Sequence, residues 1–91
     1  MSLLVVLGAG ESGVGAALLG RAKGYEVWLS DNGTIAPKYK KEIEEHSISF
    51  EEGGHSLEKV LKAGIVVKSP GIPDTAPIVQ TAIAEGIEVI S

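Results

Sequence analysis

The sequence predicts an open α/β fold, a doubly wound parallel sheet of five strands with helices on both faces. Three observations carry that expectation. Five short apolar runs, most of them rich in β-branched residues, recur along the chain. Stretches with helical start and stop signals lie between them, joined by short connections. A glycine-rich turn, "VLGAGESGVG" at residues 6–15, follows the first run and opens the first helical stretch. Such alternation implies parallel strands linked by right-handed crossovers.

The predicted strands are "LLVVL" (3–7), "EVWLS" (26–30), "ISFEE" (48–52), "IVVKS" (65–69) and "IEVIS" (87–91). The first helix is expected from about Gly13 to Lys23, with Gly24 as a left-handed cap. The second, near Pro37 to His46, begins with a proline, whose fixed φ suits a first helical turn. Its lysines (Lys38, Lys40, Lys41) precede its glutamates (Glu42, Glu44, Glu45), the unfavourable polarity for the helix dipole, so it reads as a solvated, marginal helix. The third is expected from an N-cap at Ser56 to Gly64, and the fourth from a cap at Asp74 or Thr75 to Gly86. No repeat beyond this alternation and no linker interrupts the chain, so residues 1–91 form a single domain. A free-standing domain or a piece of a longer enzyme fits that organisation equally.

Composition narrows the function. A hydrophobic content of 44% with 22% charged residues describes an ordinary globular chain. A net charge of −4 and only four aromatic residues, Tyr25, Trp28, Tyr39 and Phe50, argue against a nucleic-acid partner. The absence of cysteine excludes disulfides, thiolate metal sites and cysteine nucleophiles. No stretch approaches the ~20 apolar residues that span a bilayer. The first basic residue is Arg21, so no signal-peptide pattern is present and a cytoplasmic location is expected. The two histidines, His46 near a helix end and His55 in a turn, lack a second ligand at metal or catalytic spacing and read as surface structure.

Gly8, Gly10 and Gly13 fit G-x-G-x-x-G between a strand and a helix. In that pattern the first glycine permits the tight turn, the second lets backbone approach an anion, and the third lets helix and sheet pack closely. The helix N-terminus adds free N–H groups and a partial positive charge, so a phosphate ligand is expected. Glu11, acidic within this loop, is expected to point away from the phosphates, towards solvent or a sugar hydroxyl. The loop is no triphosphate-binding Walker motif, because Ala16 stands where that motif needs lysine after Gly15.

Ligands of open α/β sheets bind beyond the carboxyl ends of the strands, where the strand order reverses. With order 3-2-1-4-5, three loops border that crevice: "GAGES", "SDNG" and "KSPGIPD". With order 2-1-3-4-5, "EEGGHS" would take a place there, but its acids would repel an anion, so the first order is expected. Asp31 ends the second strand, where it fits ribose hydroxyls of a dinucleotide or, with Asn32, the edge of a uracil. In "SPGIPDTAP", Pro70, Pro73 and Pro77 hold Ser69, Ile72 and Ala76 extended, and Gly71 sits between rigid pieces, free to take a positive φ or lie against a ligand. A loop so stiffened makes a preformed wall.

Together, "GAGESGVGAALLGRAKGYEVWLSD", "EEGGH", "VVKSPGIP" and "AIAEGIEVIS" resemble the N-terminal domain of the Mur ligase family, in particular its members that add D-glutamate in peptidoglycan synthesis. The resemblance covers all 91 residues but only a minor, N-terminal part of the family's chain. It implies a Rossmann-like domain that holds the UDP end of UDP-N-acetylmuramoyl-L-alanine. Gly8 and the loop Gly10, Glu11, Ser12 and Gly13 would face the diphosphate. Asp31 and Asn32 would take the uracil, and Ser69, Pro70 and Gly71 would line the nucleotide's other side. No cofactor is implied for this domain. ATP and magnesium would serve the full-length ligase, whose central and C-terminal domains lie outside this chain, so the domain alone would be catalytically silent. Glu11 and the pair Asn32-Gly33 depart from residue types found in some relatives, and no basic residue follows Asp31. Two other functions fit the residues: a nicotinamide-binding domain whose affinity depends on Asp31, and an interaction module without a small ligand.

Overall fold

A computed structural model describes residues 2–91. Its elements alternate as β1 (Leu3–Leu7), α1 (Glu11–Ala22), β2 (Glu26–Ser30), α2 (Pro37–Glu45), β3 (Ser49–Glu51), α3 (Leu57–Lys62), β4 (Ile65–Lys68), α4 (Pro77–Ala84) and β5 (Glu88–Ile90). All strand pairs are parallel and the order is β3-β2-β1-β4-β5, as expected. The chain runs outward from β1 to β3, then crosses to β4 on the other side of β1. The order therefore reverses between β1 and β4, and the crevice opens above those two strands.

Side-chain alternation in β1 feeds two cores. Leu4 and Val6 join Val14 and Ala17 of α1, Val27 and Leu29 of β2, and Ile43 of α2 on one face. Val5 and Leu7 join Val60 of α3, Val66 of β4, and Val79 and Ala82 of α4 on the other. A strand buried on both faces reads as an unbroken apolar run, which is why "LLVVL" shows no polar alternation. Small residues bring α1 close to the sheet: a Cβ on Gly20 would run into the Leu4 side chain.

Several boundaries differ from expectation. α1 begins at Glu11 rather than Gly13, because Gly10 is already extended at the N-cap and the turn is completed within three residues of Gly8. α4 is capped by neither Asp74 nor Thr75 but by Ala76, which Pro77 holds extended (φ −57°, ψ 136°). Ser56 occupies the N-cap position of α3, yet its hydroxyl donates to Glu51 instead of capping the helix. Gly24 and Gly86 end their helices in the left-handed region, whereas Gly64 does not; its N–H donates to the Leu3 carbonyl at 2.9 Å and begins the approach to β4. Trp28 lies under α3, with the Lys59 ammonium 4.6 Å from its ring centre.

Candidate functional site

The glycine loop closes tightly on the sheet. Gly8 has φ +96°, donates its N–H to the Ser30 carbonyl at 2.7 Å, and lies so near the β4 loop that a Cβ would come within 2.7 Å of Ser69 Cβ. Gly8 thus satisfies both conditions that demand glycine, a left-handed φ and a close approach. Gly13 satisfies the second alone, since a Cβ there would overlap the Gly8 carbonyl. Gly10 meets neither: it is exposed, with open space where a side chain would stand. The first intrahelical bond runs from Val14 N–H to the Gly10 carbonyl at 2.9 Å, leaving the N–H groups of Glu11, Ser12 and Gly13 without helical acceptors at the crevice. These backbone groups give the helix end a partial positive charge. Glu11 is exposed and borders α2, sharing a shallow depression with Lys38, Tyr39 and Lys41, and so lies on the side of the loop away from β4.

Asp31 is committed largely to backbone. Its Oδ2 accepts the Ala9 N–H at 2.8 Å, which ties the β2 loop to the glycine loop. Its Oδ1 accepts the Gly33 N–H at 2.8 Å, the turn that "DNG" favours. Asn32, the next residue, is exposed.

The β4 loop is set by a residue that reading the sequence for ligand chemistry passes over. Lys68, 8% exposed, ends β4 pointing inward; its Nζ donates to the Ile72 carbonyl at 3.1 Å and pairs with the exposed Asp74 carboxylate at 3.2 Å. Ser69 extends the β1–β4 pairing through its N–H to the Leu7 carbonyl, and the Ile72 N–H closes a turn onto the Ser69 carbonyl at 2.9 Å. Pro70 and Gly71 form the exposed tip of that turn. Gly71 keeps a negative φ, so its glycine is not required by the turn itself. The signal for Lys68 was present as a lone cation closing an apolar strand, "IVVK".

The β3 loop "EEGGHS" also reaches the crevice, contrary to expectation. Asp31 and Gly54 form an antiparallel bridge that draws the loop alongside β2. Its acids are turned to internal donors and do not confront a ligand. Glu51 accepts from Trp28 Nε1 at 2.8 Å, from the Ser56 N–H at 2.8 Å and from the Ser56 hydroxyl at 2.7 Å. Glu52 accepts from the Ile35 N–H at 2.7 Å and from Lys40 Nζ at 2.8 Å. Partial burial pushes the Glu51 carboxyl up, but hydrogen bonds from the Ser56 backbone, Trp28, the Ser56 hydroxyl and Ser30 outweigh it and hold the group below the usual carboxylate range. Nor is His55 a surface residue: it is half-buried, and its Nδ1 bonds the Ser30 hydroxyl. Burial lowers its pKa, against the opposing charges of Glu51 and Asp31.

Two grooves flank the Gly8–Ser69 contact. One, of about 310 Å³ on the α1 side, brings Ser12 and Gly13 together with Lys68, Ser69 and Pro70. The other, of about 410 Å³ on the α4 side, is lined by Asn32, His55, Ile72, Ala76 and Pro77 among others. The residues singled out from sequence are therefore divided: the glycine loop and the β4 turn share the first groove, while Asn32 belongs to the second. Asp31 is bonded to the glycine loop through Ala9, and His55 joins Asn32 in the lining of the second groove. Among the described residues no cluster of three potential ligands could hold a metal, and no helix is long and apolar enough to cross a membrane.

The model of the "Mur ligase MurD-like, N-terminal domain" family matches residues 2–91. The UDP-N-acetylmuramoylalanine--D-glutamate ligase of Porphyromonas gingivalis W83 is 58% identical over 88 residues, which are 97% of this chain and 20% of that protein. The ligase of the same name from Bacteroides thetaiotaomicron is 50% identical over 91 residues, all of this chain and 20% of that one. The chain thus spans about a fifth of the length of these curated relatives. Among solved structures, a murein peptide ligase from Psychrobacter arcticus superposes with a TM-score of 0.86 at 24% identity, covering 100% of this chain and 19% of that one. That likeness establishes the fold, an open α/β domain of the kind found in Mur ligases.

Proposed function

The chain belongs to the family of MurD-like Mur ligase N-terminal domains of peptidoglycan synthesis, and from that membership we propose that it holds the uridine-diphosphate end of UDP-N-acetylmuramoyl-L-alanine. One observation carries the reading: the unbonded N–H groups of Glu11, Ser12 and Gly13 stand at the reversal between β1 and β4, with a groove on each side. The diphosphate lies across those N–H groups and against Ser12. Gly8 and Gly10 keep side chains out of its path, and Ser69, Pro70 and Gly71 form the wall opposite. Asn32 meets the base, and Asp31 acts chiefly by clamping the glycine loop through Ala9. Glu11 stays clear of the phosphates on the α2 side.

In this reading the domain positions substrate and performs no bond-making step. Joining D-glutamate to the muramoyl-alanine carboxylate with ATP and magnesium belongs to the rest of the longer ligase. The test is an NMR titration of the chain with UDP-N-acetylmuramoyl-L-alanine, with NADH in parallel. The expected result is saturable shifts of the Glu11, Ser12 and Gly13 amides with the UDP compound, none with NADH, and a several-fold weaker affinity in Asn32→Ala. Saturable binding of NADH alone would replace the reading with a nicotinamide-binding one, and silence towards both would end it.

A further inference from the structure

The α4-side groove has mostly apolar walls, supplied by Ile72, Ala76, Pro77 and Ile78. Of its polar lining groups, the Thr81 hydroxyl already donates to the Pro77 carbonyl at 3.0 Å. The Asn32 amide and the outer edge of the His55 ring remain to meet a ligand, and the carboxylate of Asp31 is not part of the lining. The chemistry of this groove therefore depends on which His55 nitrogen carries the proton.

Ser30 decides it. The Ser30 hydroxyl has one proton, and two groups beside it can only accept: the Gly54 carbonyl oxygen at 3.0 Å and the Glu51 carboxylate. If that proton turned to His55, two oxygen lone pairs would face each other at that distance without a hydrogen between them. With the proton on either of these acceptors, the contact between Ser30 Oγ and His55 Nδ1 requires His55 to donate. The neutral ring then carries its proton on Nδ1 and presents a bare lone pair at Nε2, for which no partner is found among the described residues. The lowered pKa of His55 keeps the ring in this neutral form near neutral pH.

We propose that His55 is a specificity-determining residue of the nucleotide site, its Nε2 accepting the N3–H of a uracil seated in the groove beside Asn32. The assignment rests on the uridine-diphosphate reading above. A uracil edge offers one donor, N3–H, between two carbonyl acceptors, and the Asn32 amide supplies an N–H to one of them. Cytosine has a lone pair at N3, which would confront the lone pair of His55 and leave both without a proton. The side chain thus rejects the wrong pyrimidine as well as accepting the right one. Ile72 and Pro77 provide apolar surface for the ring.

The test titrates the chain with UDP, CDP and N3-methylated UDP, comparing wild type with His55→Leu and His55→Gln. Wild type is expected to prefer UDP to CDP by about tenfold and to treat the methylated nucleotide like CDP. In His55→Leu the UDP-to-CDP ratio should fall close to one. His55→Gln, whose amide can turn to accept or donate, should retain UDP affinity within a few-fold and still lose the discrimination, an outcome that general damage to the fold would not produce. UDP binding with an unchanged UDP-to-CDP ratio in both variants overturns the assignment of His55 and leaves the uridine-diphosphate reading intact. Wild type that binds UDP and CDP equally has the same consequence, whereas wild type that binds no uridine nucleotide removes both.

Discussion

On the β2–β3 side of the crevice, loops are tied by side chains reaching back to the backbone. Asp31 takes the N–H groups of Ala9 and Gly33, Glu51 and Glu52 take those of Ser56 and Ile35, and Ser30 bridges Gly54 and His55. On the β4 side, three prolines restrict the chain within nine residues, 69–77, and one buried lysine gathers the turn. The first rim consists of carboxylates and a histidine, so its order depends on protonation. The second depends on covalent stiffness and on the Lys68 ammonium bound to the Ile72 carbonyl. The two rims meet at Gly8 and Ser69, and that contact is the place to break them apart.

Gly8→Ala should have the largest effect. An alanine there would hold φ near +96° and press its Cβ within 2.7 Å of Ser69 Cβ. The left-handed conformation costs about 1–2 kcal/mol, and overpacking adds a similar amount. A loss of about 3 kcal/mol in urea denaturation is expected, with weakened nucleotide binding because the glycine loop and the β4 turn move apart.

Lys68→Met separates the two rims more gently. It keeps the volume of the buried stem but removes the bond to the Ile72 carbonyl and the pair with Asp74. Since Asp74 is 79% exposed, that pair is screened and adds little. A hydrogen bond from a charged donor to a carbonyl contributes about 1.5–3 kcal/mol, so a loss of about 2 kcal/mol is expected. Amide hydrogen exchange should rise at Ile72 and leave the β2–β3 rim unchanged.

The same comparison explains what was legible in the sequence. The strands, both helical layers and the Gly8–Gly13 loop follow from local signals: apolar runs of strand length, helix-ending glycines, and glycines placed where helix meets strand. The stiffness of the β4 rim was equally readable, because proline acts on its own neighbours. The β2–β3 rim was less so, because much of its order comes from contacts between distant residues, such as Ile35 with Glu52, 17 positions apart, and Ser30 with His55, 25 apart. From sequence alone "EEGGHS" is an acidic loop with a surface histidine. Only the register of β2 against β3 aims the acids at Trp28, Ile35 and Lys40 and turns His55 into the crevice. The cap falls at Ala76 rather than Asp74 or Thr75 because Pro77, at the first helical position, holds its predecessor extended.

Protonation gives the smallest and most selective test of the carboxylate rim. Glu51 has a folded pKa below its ordinary 4.5, so the unfolded chain takes up the proton first as pH falls. The stability it contributes is therefore fully present above pH 4.5 and is lost as pH falls through the lowered folded value. His55 acts in the same direction over a separate window, since its pKa also lies below the ordinary 6.5 and the unfolded chain gains its proton first from there downward. Glu51→Gln retains one acceptor for Trp28 and the Ser56 N–H but replaces a charged one, and should cost about 1 kcal/mol at pH 7. In a series of denaturation curves, wild type and this variant should differ at pH 7 and converge as pH falls through the lowered Glu51 value, while Lys68→Met should stay offset from wild type across the same range. Convergence would assign the acid sensitivity of the crevice to the β2–β3 rim. A Glu51→Gln offset that persists in acid would mean that Glu51 acts there by shape alone.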